Sequence, residues 1–103
     1  MKNYVLLYYN KGIREDVSPE DFKAEWGKWF GSLGDRLVDA GNPFKEGGKA
    51  VSKDGVMDVK DMPSTGYSII KAESMEEAQK LAKGCPVLNE PESAVCVYET
   101  MPM

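Results

Sequence analysis

The stretch Gly66-Tyr67-Ser68-Ile69-Ile70-Lys71-Ala72-Glu73-Ser74-Met75-Glu76-Glu77-Ala78-Gln79-Lys80-Leu81-Ala82-Lys83-Gly84 decides the fold. Its first seven residues carry Tyr67, Ile69 and Ile70 and predict a strand. Ser74-Met75-Glu76-Glu77 fits a capping box, in which a hydroxyl and a glutamate satisfy the free amides of a helix start. Beyond it Met75, Ala78, Leu81, Ala82 and Cys85 fall on one helical side, so the helix runs to Gly84 with an apolar face. Pro86 and Pro91 bracket a connection, after which Ala94-Val95-Cys96-Val97-Tyr98-Glu99 predicts a last strand and Met101-Pro102-Met103 a tail.

Towards the N-terminus the same order recurs. Tyr4-Val5-Leu6-Leu7-Tyr8-Tyr9 reads as a strand closed by Asn10-Lys11-Gly12. Ser18-Pro19-Glu20-Asp21 supplies an N-cap, a first-turn proline and two acids at the positive end of the helix dipole. Phe22, Trp26, Trp29, Phe30, Leu33, Leu37 and Ala40 then share an arc of about 100°, predicting a helix that extends towards a terminal Gly41. Ala24, Gly27, Gly31 and Gly34 lie on another side, which implies either close approach by a second backbone or a break near Gly31 to Gly34. Asp54-Gly55, between Ala50-Val51 and Val56-Met57, predicts a β-hairpin with a type I′ turn. The segment 58–65, with alternating charges and Pro63, reads as a loop.

Strand, helix, strand pair, strand, helix, strand is the ferredoxin-like βαββαβ order with an extra β-hairpin: an α+β domain over residues 1–103 whose helices cover one face of an antiparallel sheet. The strands are apolar on both faces. Val5, Leu7 and Tyr9 alternate with Tyr4, Leu6 and Tyr8, and two helices cannot hide both sets. A two-fold homodimer packed through facing sheets is therefore expected.

Composition limits the chemistry. The 103 residues hold 13 Lys and Arg against 17 Asp and Glu, and no histidine. A net charge of −4 disfavours nucleic acid, whose binding depends on clustered cations. No apolar run reaches the ~18 residues of a membrane span, so a cytoplasmic protein is expected. Without imidazole there is no Ser-His-Asp or Cys-His nucleophile and no His-based zinc site, and no cofactor or metal is implied. Two cysteines, Cys85 and Cys96, are too few for a disulfide scaffold and are expected reduced.

These landmarks together resemble the YCII-related family of the dimeric α+β barrel superfamily, close to its DGPF-domain branch. The matching stretches are Met1–Tyr9, Trp29–Asp35 through Ala40-Gly41, Val51–Gly55, Gly66–Ile70, Ala82–Pro86 and Val97–Glu99. The resemblance implies a dimer of facing sheets and a cleft between sheet and helices that takes a small organic molecule. It also implies a His and Asp pair for which catalysis has been suggested. Asp35 lies near the acidic position. The histidine is missing, since Val87 follows Cys85-Pro86 where many relatives carry it, and Asp54-Gly55 continues into Val56-Met57 rather than Pro-Phe.

Tyr8, Trp26, Asp35, Tyr67 and Cys85 are accordingly the candidate ligand-binding residues. Each has a plainer reading. Trp26, with Trp29 and Phe30, is a core stripe, and Tyr8 and Tyr67 pack across strands. Asp35 and Asp39 sit on a solvated helix side, and Cys85 is a buried thiol. The expected role is a non-catalytic small-molecule-binding or assembly module. The alternative is a His-independent lyase, isomerase or cofactor-free oxygenase acting on a small organic substrate.

Overall fold

The structure, a computed structural model, describes residues 1–12, 15–60 and 63–102. The expectations for the 58–65 loop and the C-terminal tail fall in part outside the described residues, at Asp61, Met62 and Met103. Strands β1 (Lys2–Tyr9), β2 (Leu37–Asp39), β5 (Ser64–Ala72) and β6 (Ala94–Glu99) form one four-stranded antiparallel sheet in the order β2-β5-β1-β6. Strands β3 (Lys49–Ser52) and β4 (Gly55–Asp58) form a separate hairpin. The helices are α1 (Pro19–Leu33) and α2 (Met75–Ala82). This is an α+β chain with an open antiparallel sheet, consistent with the ferredoxin-like order.

Burial alternates along the central strands as the pleat requires. Tyr4, Leu6 and Tyr8 of β1 and Ser68, Ile70 and Ala72 of β5 are buried. They pack with Trp29 and Leu33 of α1 and Ala78 and Ala82 of α2 as one core. Val5, Leu7, Tyr9, Tyr67 and Ile69 point to the opposite face, which no helix covers.

The caps form as their residues dictate. Ser18 Oγ accepts from Asp21 N (3.1 Å) and Ser74 Oγ from Glu77 N (3.2 Å). Glu77 completes its half of the second cap one residue early, accepting from Glu73 N (3.0 Å).

The first helix is shorter than its apolar arc. It passes through Gly27 and Gly31 but ends at Leu33, with Gly34 at φ 54 returning its amide to Gly31 O. The expected continuation to Gly41 is thus corrected: a 3-10 turn, Gly34–Arg36, leads into β2. Two interior glycines already cost about 2 kcal/mol of helix stability, and a third would raise that. Pairing of Leu37 with Ile70 and Asp39 with Ile69 satisfies the backbone instead. Leu37 still packs on the core, so its apolar position was read correctly and its element was not. Asp35 and Asp39 therefore do not share a helix: one lies in the turn, the other in β2. Among the described residues nothing lies within 4 Å of where a Cβ would stand on Gly27 or Gly31, so none of their backbone approaches that side.

Gly41 is required for a different reason. It has φ 74, and a Cβ would stand 1.8 Å from the Tyr67 carbonyl oxygen. Gly41→Ala is expected to destabilise by about 1–3 kcal/mol, the scale of a forced positive φ, before the clash is counted. Urea unfolding of the variant measures it.

The hairpin expected at Asp54-Gly55 is present, but its two-residue loop is Lys53-Asp54 and Ser52 pairs with Gly55. A type I′ turn would need positive φ at both loop residues, and neither has it; Gly55, just after, has φ 143.

Candidate functional site

Under α1 the sheet presents Tyr8, whose ring meets Trp26 edge to face at 5.1 Å. Trp26 in turn contacts Phe22 (6.3 Å), Trp29 (5.9 Å) and Phe30 (5.7 Å). Offset and edge contacts at these separations are the favoured geometries for aromatic pairs. The rings fill the space between helix and sheet. Trp29 is also tied to α2, its Nε1 donating to Leu81 O (3.2 Å). The Trp26 indole nitrogen is buried without a hydrogen-bond partner.

A short polar chain runs beneath the rings. Tyr8 Oη donates to Ser68 Oγ (2.6 Å), and Ser68 Oγ donates to the Ala40 carbonyl (2.6 Å). Cys85 lies against the Tyr8 hydroxyl. Burial pushes the Cys85 thiol from 9.0 up to about 12, and pushes the Tyr8 phenol upward as well. Both groups are protonated at neutral pH, so neither offers an anionic nucleophile or a base.

This arrangement links stability to alkaline pH. The unfolded chain releases the Cys85 proton near 9 while the folded chain holds it, so stability is complete below pH 9 and falls as pH rises towards 12. The melting temperature is expected to drop across that window. Cys85→Ala combined with Tyr8→Phe is expected to flatten the drop, as a pH series of melting curves will register. Cys85 should also resist alkylation at pH 8 until the chain unfolds.

The five candidate residues do not converge. Tyr8, Trp26 and Cys85 meet in the filled space just described. Tyr67 lies on the opposite face of the sheet, stacked on Phe44 at 5.9 Å. Asp35 is exposed in the 3-10 turn after α1. Next to it Arg36 pairs with Glu77 of α2, whose carboxyl the guanidinium holds below the usual carboxylate range. That pair ties the turn to α2.

Two open clefts lie elsewhere. One, of about 380 Å³, is lined by Glu25, Lys28, Trp29, Ser32, Pro86 and Asn89. The other, of about 230 Å³, lies between α2 and β6 over Val95 and Val97. None of the five candidates lines either cleft. Among the described residues no group of three or more His, Cys, Asp or Glu side chains is placed to hold a metal ion. Ser68 and Phe44 escaped the sequence reading. The available signal for Ser68 was its parity, an inward position shared with Gly66 and Ile70 on an apolar strand.

The sheet face away from the helices carries a continuous set of apolar residues. The register sets Val5 between Ile69 and Tyr98, and Leu7 between Tyr67 and Cys96, with Tyr9 beside Ala94. Tyr98 is 57% exposed and Val38 of β2 49%, while Val5, Leu7, Tyr9, Tyr67, Ile69 and Cys96 are half-buried. Lys71 and Asn3 pair at one end of this face.

The fold and its surfaces define a small α+β protein with one sheet face packed by helices and the other left apolar and open. No helix among the described residues is long and apolar enough to cross a membrane. No protein-family model matches the chain, and a search of curated proteins finds no significant match.

Proposed function

We propose that this chain is a non-catalytic assembly module that works as a homodimer, pairing sheet to sheet in the manner of the dimeric α+β barrel proteins its sequence resembles. The observation that carries this reading is the apolar sheet face, with Val5, Leu7, Tyr9, Tyr67, Ile69, Cys96 and Tyr98 on the side away from the helices. Apolar residues contiguous across four strands, rather than scattered singly, mark an interaction surface. A second copy presents the same face, and isologous pairing is the commonest closed assembly.

Three features favour assembly over catalysis. The space between α1 and the sheet, where a YCII-type ligand would enter, is packed with rings. Tyr8 and Cys85 are held neutral there by burial. The chain has no histidine to complete the pair on which the family's suggested chemistry rests. A small organic ligand is left with the open clefts, whose polar lining at Glu25, Lys28, Ser32 and Asn89 belongs to the larger one.

Native mass spectrometry of freshly purified protein tests this reading. The expected result is a dimer with no retained small molecule. A monomer would overturn the assembly role, and a dimer carrying a reproducible extra mass would move the function to ligand binding.

A further inference from the structure

The hairpin β3–β4 is built unlike the rest of the chain. Every residue of both strands is exposed, including Val51 (77%), Val56 (65%) and Met57 (61%). Val51 and Val56 are cross-strand partners on one side, with the Lys49 and Asp58 ion pair beside them; Ala50 and Met57 face the other way. A two-stranded hairpin without a packed face is at best marginally stable in water. No other element packs extensively against this one. The radius of gyration, 14.7 Å, exceeds the roughly 13 Å of a compact chain this long, and the extents of 42 × 42 × 19 Å are those of a flat molecule.

The root of the hairpin fixes the side on which it stands. After β2 the backbone stays beside β5, with Pro43 bridged to Gly66 and Phe44 N donating to Thr65 O (2.9 Å). Phe44 then stacks on Tyr67, which is on the uncovered face. The hairpin thus leaves the body next to the surface that lacks a cover.

We propose that β3–β4 is an arm that reaches across the two-fold axis and packs the side carrying Val51 and Val56 on a second copy of this chain seated on the uncovered face, each copy clasping the other. This rests on the sheet-to-sheet dimer proposed above. Area is the argument for the occupant. Four strands about 4.8 Å apart and about five apolar residues long, at about 3.3 Å each, give a planar face on the order of 300 Å². A stable interface buries about 800 Å² of accessible surface per partner. Val5, Leu7, Tyr9, Tyr67, Ile69 and Cys96 are each half-buried within the chain already, so facing sheets alone fall short of that and need a further apolar surface on the same side. The arm supplies it. Charge agrees: Lys49 and Lys53 balance Asp54 and Asp58, so the arm brings no net charge to a partner that carries −4 overall.

The test is sedimentation equilibrium of the full chain beside a Val51→Ser, Val56→Ser double variant, with circular dichroism as the fold control. Both side chains are exposed within the chain, so the variant keeps the body fold. The expected result is a dimer for the unmodified chain and a dissociation constant raised on the order of 100-fold in the variant. An unchanged constant overturns the arm while leaving the dimer standing. A monomeric unmodified chain overturns both. Should the variant misfold, hydrogen exchange of the unmodified chain decides: arm amides protected at high concentration and exposed on dilution support the clasp, and equal exchange at both overturns it.

Discussion

Replacing Trp29 with alanine is expected to lower the free energy of unfolding by about 3–5 kcal/mol, the range for truncating a buried aromatic core residue. Trp29 is 6% exposed and joins α1 to α2. Its ring meets Trp26 and Phe30 within α1. Its Nε1 donates to Leu81 O of α2. Gly84 beyond α2 lies so close that a Cβ there would stand 3.2 Å from the indole. Removing the ring leaves a cavity between α1 and the α2 end, and leaves the Leu81 carbonyl with the Gly84 amide alone (3.3 Å). Against a total stability of ~5–15 kcal/mol, the loss is enough to populate the unfolded chain. Denaturant titration measures it. Trp29→Phe should recover part of the loss because it restores packing without the indole hydrogen bond.

Leu7→Lys is expected to leave the monomer folded and abolish pairing at micromolar concentration. Leu7 lies at the middle of the uncovered face, between Tyr67 and Cys96 on the central strand. In one chain alone a lysine there extends into water, and strand propensity costs under about 1 kcal/mol. In a facing-sheet dimer the two-fold axis brings two ammonium groups into an apolar interface with no carboxylate among the face residues, and burying an unpaired charge costs several kcal/mol. Each 1.4 kcal/mol is tenfold, so the dissociation constant rises on the order of 100-fold or more. A matched change on the outer side of α1, Lys28→Ala, should leave pairing unaffected.

The capping residues Ser18 and Ser74 and the last strand, Ala94–Glu99, were legible because each depends on local chemistry. The doubly apolar β1 was legible because alternation alone tells which residues share a face. The second strand was not. Leu37 and Ala40 continue the apolar arc of α1, and only pairing with Ile69 and Ile70, some 30 residues on, draws 37–39 out of the helical pattern. Local periodicity cannot register such a competition. The hairpin fared in between: Asp54-Gly55 marked the place, and the loop formed one residue earlier.

The candidate site divided along the same line. Tyr8, Trp26 and Cys85 are neighbours because β1, α1 and the end of α2 converge on one side of the sheet, while the pleat carries Tyr67 to the other. Identical residue types thus serve opposite surfaces. Parity fixes which one, and parity was readable. The polar chain from Tyr8 through Ser68 to Ala40 was less so, since it depends on the backbone turning at Gly41 to bring that carbonyl inward.

The central claim is that a second copy covers the open sheet face. Light scattering coupled to size exclusion, on the unmodified chain at roughly 10 µM, tests it most directly. The account predicts a mass twice the 11.4 kDa of the chain, reverting to the single-chain value in Leu7→Lys. A single-chain mass for the unmodified protein at that concentration would contradict it.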